Sequence, residues 1–144
     1  MNTFRISAYS LALCVATLSI ASAQTVPPAD VAAIGPPPMQ HSASGIAYLS
    51  GGAGDEERLA MEARRREFPL KLVLSAGTGE YIVADRVSLS GAKGRVMDAA
   101  DAGPVVMIKA PPGSYTVEVV YQGRTQRRQV QVGKPATVGF RFPG

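Results

Sequence analysis

The chain has one cysteine, one histidine and no tryptophan, and aromatic residues make up 6% of it. Each scarcity excludes chemistry. Cys14 lies inside an apolar N-terminal run, so a protein that sheds this run has no disulfide, thiol nucleophile or thiolate metal site. His41 is the single imidazole and sits among prolines, which removes histidine triads and His-x-x-x-His metal sites. Its reading is a solvated linker residue. No cofactor, metal or catalytic residue is expected. Without tryptophan, the aromatic platforms that commonly hold sugars are reduced to tyrosines. Charge of one sign is not in large excess either. Once Arg5 is removed with the leader, fourteen basic residues face eleven acidic ones. That balance permits an anionic partner without requiring one.

The N-terminus is what is present in their place. Arg5 and the apolar run Ile6–Ile20 precede the small-x-small triplet Ala21-Ser22-Ala23, the pattern of a signal peptide over residues 1–23. The run is shorter than the roughly twenty residues of a spanning helix, so no transmembrane span is expected after processing. Cleavage near Ala23-Gln24 implies a periplasmic or secreted protein. Residues 24–44 follow with five prolines and read as an extended linker. Residues 45–144 remain, roughly one hundred, enough for one hydrophobic core.

Within them, Ser50–Phe68 (SGGAGDEERLAMEARRREF) opens on glycines and continues as a helix pattern. A phosphate-binding loop would need bare N–H groups at the helix start. Asp55, Glu56 and Glu57 already occupy that positive end, and no Gly-Lys-Ser/Thr ending is present. The stretch therefore predicts a self-capped helix with Gly54 or Asp55 as N-cap, a Glu62–Arg66 pair and Arg64, Arg65 and Arg66 in its last turn. Pro69 stops it. Leu59, Ala60 and Ala63 form the stripe expected to rest on the domain.

Beyond Pro69, seven apolar runs recur about every ten residues between Gly and Pro turns, without intervening helices. They start at Leu70, Tyr81, Arg95, Val105, Tyr115, Arg124 and Ala136. Ile46–Leu49 adds a short strand before them. This spacing argues an antiparallel sandwich. Tyr81, Val83, Val87 and Leu89 alternate on one face, and Tyr115 and Tyr121 fall on a core face. Gln122-Gly123 suits a two-residue primed turn, which sets Glu118 opposite Arg127, Val117 opposite Arg128 and Tyr115 opposite Val130. Arg128 and Gln126 then need a place at the rim, with their stems covering the tyrosines.

The order GGAGDEERLAMEARRREFPLKLVLS, GEYIVADRVSLS and DAGPVVMIKAPPGSYTVEVVYQGRTQRRQVQV resembles a group of exported proteobacterial proteins called carboxypeptidase regulatory-like domain proteins. The resemblance covers about Tyr48–Val132, and its most diagnostic piece is APPGSYTVEVVYQGRTQRRQV. It implies a mainly β, Greek-key, transthyretin-like sandwich of about seven antiparallel strands with one short N-terminal helix. It implies an accessory module beside a peptidase, not a peptidase, and carries no catalytic residues.

Other candidates for chemistry are thin. Ser90-Gly91-Ala92-Lys93 matches a Ser-x-x-Lys motif, but its companion motifs are absent and Lys93 falls in a turn. Asp98 and Asp101 flank a turn, where aspartate bonds locally. The arginines are the better lead. Arg64, Arg65, Arg66, Arg124, Arg127 and Arg128 could form a patch for lipopolysaccharide or lipid headgroups, or they could simply discourage edge-to-edge pairing of strands. Export and few exposed aromatics argue against nucleic acid. The expectation is a non-catalytic module that binds an envelope protein or serves envelope structure. Binding of anionic envelope components through the arginines is the alternative.

Overall fold

The computed structural model describes residues 35–144. The expected signal peptide and most of the expected linker lie outside the described residues. Among the described residues, nine strands build two sheets. β1 (Gln40–His41), β2 (Ala47–Gly51), β3 (Leu70–Ala76), β6 (Val105–Lys109) and β9 (Ala136–Phe142) form one, in the order β1-β2-β6-β3-β9. β4 (Ala84–Gly91), β5 (Gly94–Ala102), β7 (Gly113–Tyr121) and β8 (Arg124–Val132) form the other, in the order β5-β4-β7-β8. All seven strands expected after Pro69 are present. Pairing is antiparallel except between β3 and β9, which run parallel, Leu70 beside Ala136 through Ala76 beside Phe142. β1 lies within the stretch read as linker and pairs Gln40 with Tyr48. His41 is exposed there.

The period-2 patterns explain the main core. Leu70, Leu72 and Leu74 of β3 and Phe140 and Phe142 of β9 are fully buried against Val87, Leu89, Val117 and Val119 of the second sheet. Alternation on a pleated strand places these residues on one face, and burial of each large side chain contributes about 1.5–3 kcal/mol before entropic costs. Tyr115 and Tyr121 are partly buried against this core, Tyr121 edge-on to Phe142 at 5.4 Å between ring centroids.

Two strands depart from the sequence reading. Tyr81 and Val83 are 51% and 50% exposed, and it is Ile82 and Ala84 that are buried. The chain before Ala84 still belongs to the first sheet's surroundings, with Tyr81 bridging Ser75 and the Ile82 N–H donating to the Leu74 carbonyl. Ala84 and Val87 then both point inward, so strict alternation slips across the exposed Asp85-Arg86. β5 extends over nine residues, Gly94–Ala102, through a stretch with little apolar patterning. Its DAADA end has weak β propensity, and pairing with β4 as far as Ala84–Ala102 makes it a strand.

The β7–β8 hairpin has the register that its turn implies: Glu118–Arg127, Val117–Arg128 and Tyr115–Val130. Gln122 and Gly123 have φ of 48° and 74°, the primed-turn geometry, and the Asp85 carboxylate accepts the Gln122 N–H at 2.8 Å. Arg127 donates to Glu118 on the outer face. A double-mutant cycle on Glu118→Ala and Arg127→Ala should read a coupling of about 0.2–1 kcal/mol, shrinking as salt is raised. Coupling unchanged in 1 M salt would contradict an ionic origin.

The helix α1 (Asp55–Ala63) begins where expected but ends early, followed by a 3₁₀ turn at Arg65–Glu67. Met61, not the Leu59-Ala60-Ala63 stripe, is its buried residue, and Leu59 is 72% exposed. Met61 and Phe68 enter a second core with Leu49, Val105 and Met107 on the outer face of the first sheet, with Met39 packed beside them. That pocket selects the helix face. Two large side chains in a closed cluster outweigh one leucine and two alanines.

Candidate functional site

The glycine loop before α1 is filled by the protein's own groups. Glu57 Oε2 accepts the Gly52 N–H at 2.9 Å, which is the type of donor an anion would need. Arg58 donates to the Gly52 and Ala53 carbonyls at 2.7 and 3.2 Å and also pairs with Asp55. Gly54 is the N-cap and has no side-chain cap bond.

The six arginines do not form one patch. Arg64 grips Glu67 with two bonds, Nε to Oε1 at 3.0 Å and Nη2 to Oε2 at 2.7 Å. This hydrogen bonding holds the Glu67 carboxyl below its ordinary range and raises the Arg64 guanidinium. Arg65 donates to the carbonyls of Phe68 and Ala136 and to Thr137 Oγ1, tying the 3₁₀ turn to the start of β9. Arg66 is exposed. The expected Glu62–Arg66 pair is replaced by Glu62 with Lys71 at 2.5 Å, because the helix has ended before Arg66 comes round to that face.

On the other strand pair, Arg124 donates to the Pro143 carbonyl at 2.8 Å, Gln126 donates to the Arg141 carbonyl at 2.7 Å, and Arg128 lies 5.5 Å over the Phe140 ring. These side chains do sit at the rim, but they cover β9 and Phe140 and not the tyrosines. Arg65 marks the Ala136 end of β9 and Arg124 its Pro143 end. Seven extended residues separate them, roughly 20 Å at about 3.3 Å per residue.

Asp98 is bound on the outer face of the second sheet by Arg86, through two bonds of 2.7 Å, and by Arg95 at 3.4 Å. Asp101 is exposed with φ 48°. Ser90 lies at the β4–β5 irregularity and Lys93 is exposed in the turn beyond it. Among the described residues, no group of three His, Cys, Asp or Glu side chains is placed to hold a metal ion. None of the described helices is long and apolar enough to cross a membrane.

The feature that sequence reading missed is a groove of about 470 Å³ between α1 and β3. Leu59, Val73, Tyr81 and Val105 supply its apolar surface, and the Asp55–Arg58 and Glu62–Lys71 pairs stand on its rim. The Arg58 guanidinium stacks on Tyr81 at 4.5 Å. Leu59 was legible as apolar; the early turn of the chain at Tyr81, which brings the ring across to the helix, has no local signature.

These two sheets, their shared core and the single helix define a mainly β sandwich-type domain. No family model matches the chain, and no curated relative does either. Among solved structures, the Bacillus anthracis TIE protein is similar at 17% identity and a TM-score of 0.39, over 51% of this chain. The match spans 16% of that protein's length.

Proposed function

We propose that this protein is an exported, periplasmic or secreted, non-catalytic β-sandwich module of the carboxypeptidase regulatory-like kind, and that it acts by binding another protein of the envelope. The observation that carries this reading is the groove between α1 and β3. Its apolar surface is open to solvent, with Leu59 72% and Tyr81 51% exposed, while the charges on its rim are paired with one another. A rim without net charge favours apolar side chains of a partner polypeptide over an anionic headgroup. Exposed apolar surface rimmed by polar groups is a common mark of protein contact sites. The export part of the reading rests on the leader sequence, and the family part on the sequence resemblance.

A photo-crosslinking residue in place of Leu59 should give one discrete protein adduct in cells. The adduct should disappear when Val73→Glu is added, and the same crosslinker at Thr125, on the second sheet, should give none. An adduct that survives Val73→Glu, or equal labelling from both positions, would overturn the groove as the contact site.

The rival reading, anionic lipid or lipopolysaccharide binding through the six arginines, draws on less. Arg64 and Arg127 are paired with carboxylates, Arg65 and Arg124 donate to backbone carbonyls at opposite ends of β9, and Arg128 lies over Phe140 between them.

A further inference from the structure

β9 is an edge strand whose outward backbone is only partly closed. Its even-numbered residues face β3, as the Ala136 N–H donating to the Pro69 carbonyl shows. The odd-numbered ones therefore turn outward. Side chains close the far end of that edge, Gln126 on the Arg141 carbonyl and Arg124 on the Pro143 carbonyl. The N–H and C=O groups of Thr137 and Gly139 are left without a protein partner among the described residues. Gly139 carries no side chain and the space above its face of the strand is open, so nothing from its own residue shields its outward N–H and C=O, while β8 reaches β9 through Gln126 and Arg124 at the far end.

The charge around this edge has one sign. From Gly123 to Gly144 the chain carries Arg124, Arg127, Arg128, Lys134 and Arg141 and no acidic residue. Arg141 and Lys134 are exposed, and Arg65 stands at the strand's start. Of the five, Arg127 is turned away from this edge and paired with Glu118 on the outer face of the second sheet, and the other four have no carboxylate partner among the described residues. Unpaired strand backbone supplies affinity for an added strand, and flanking charge selects its composition.

We infer that the β9 edge is a docking site for an acidic, extended peptide segment of a partner protein, added as a strand beside Thr137–Gly139. The open stretch is short, so the hydrogen bonds orient the peptide and the surrounding arginines and lysine supply much of its attraction. Raised ionic strength then weakens binding. The edge lies one strand away from the α1–β3 groove, whose Lys71 and Val73 pair with Thr137 and Gly139, but it uses outward backbone where the groove uses side chains, so the peptide assay and the Leu59 crosslink fail independently.

The test is fluorescence anisotropy of the full chain with a labelled peptide of alternating glutamate and valine. Saturable binding at low salt is expected, with loss in 1 M salt and no binding of the lysine–valine counterpart. Thr137→Pro removes an outward donor that β3 does not use, so the sandwich tolerates it while peptide affinity falls at least about tenfold. The same fall is expected on the wild-type chain when the peptide is N-methylated at alternate residues. That second comparison decides the matter if Thr137→Pro does not fold. Equal binding of the N-methylated peptide would overturn strand addition. So would absence of peptide binding, or binding only to phosphatidylglycerol vesicles, which would assign the basic edge to an anionic surface.

Discussion

Phe68→Ala is expected to cost the protein about 3–5 kcal/mol, the range for removing a large aromatic from a closed core. Phe68 is fully buried with Met61, Leu49, Val105 and Met107, on the face of the first sheet away from the main sandwich core. Two losses coincide. The cavity left behind cannot collapse easily, since Leu49, Val105 and Met107 are fixed on paired strands. The helix also loses its second anchor, because Met61 alone would then hold α1 to the sheet. Urea unfolding should show a lower midpoint, and amide exchange should speed up first in Asp55–Ala63. The α1–β3 groove would lose its helix wall, so the Leu59 crosslink should weaken in the same variant. If the midpoint falls by less than about 1 kcal/mol in stability, the second core is not a structural anchor and α1 is held by its ion pairs.

Gly103→Ala is the second large effect, about 1–3 kcal/mol or more, the range for forced overpacking. A side chain starting at Gly103 would lie 2.6 Å from Gly51 Cα, 2.7 Å from its nitrogen and 2.8 Å from its oxygen. Those are backbone atoms of β2, locked by pairing with Val105, so they cannot step aside as a flexible side chain would. The Gly103 N–H also donates to Ser50 Oγ at 2.9 Å, a bond that displacement would break. Gly133→Ala is the matched control. Nothing lies within 4 Å of its would-be side chain, and its effect should stay within about 0.5 kcal/mol. Equal denaturant midpoints for the two variants would show that the Gly51–Gly103 approach is not a constraint on the fold.

Both effects turn on contacts between segments far apart in sequence, and the candidate site was legible to the same limited degree. The arginines could be named from the sequence, but not what each would touch. Arg64 meets a carboxylate three residues on, a spacing visible in the chain once the helix is known to end at Ala63. Arg65 meets Ala136, seventy-one residues away, and no local pattern encodes that. The helix pattern alone puts Leu59 on the packed face, because Leu59, Ala60 and Ala63 are its apolar stripe. The pocket offered by Leu49 and Met107 took Met61 instead.

What the sequence determined by itself is whatever physics acts within a few residues. The Gln122-Gly123 turn fixes the β7–β8 register, because two positive φ values leave one way to fold the strands back. The acids after Gly54 start the helix, Pro69 keeps Phe68 extended before β3, and the Gly and Pro spacing counts out the seven strands that follow. Tertiary structure alone decided the parallel pairing of β9 with β3, the face on which α1 rests, the separation of the arginines to the two ends of β9, and the groove beside Tyr81. Each of these depends on which distant surfaces meet. That choice is made by burying the most apolar area and pairing the most backbone over the whole domain, a sum to which no single stretch of chain holds the terms.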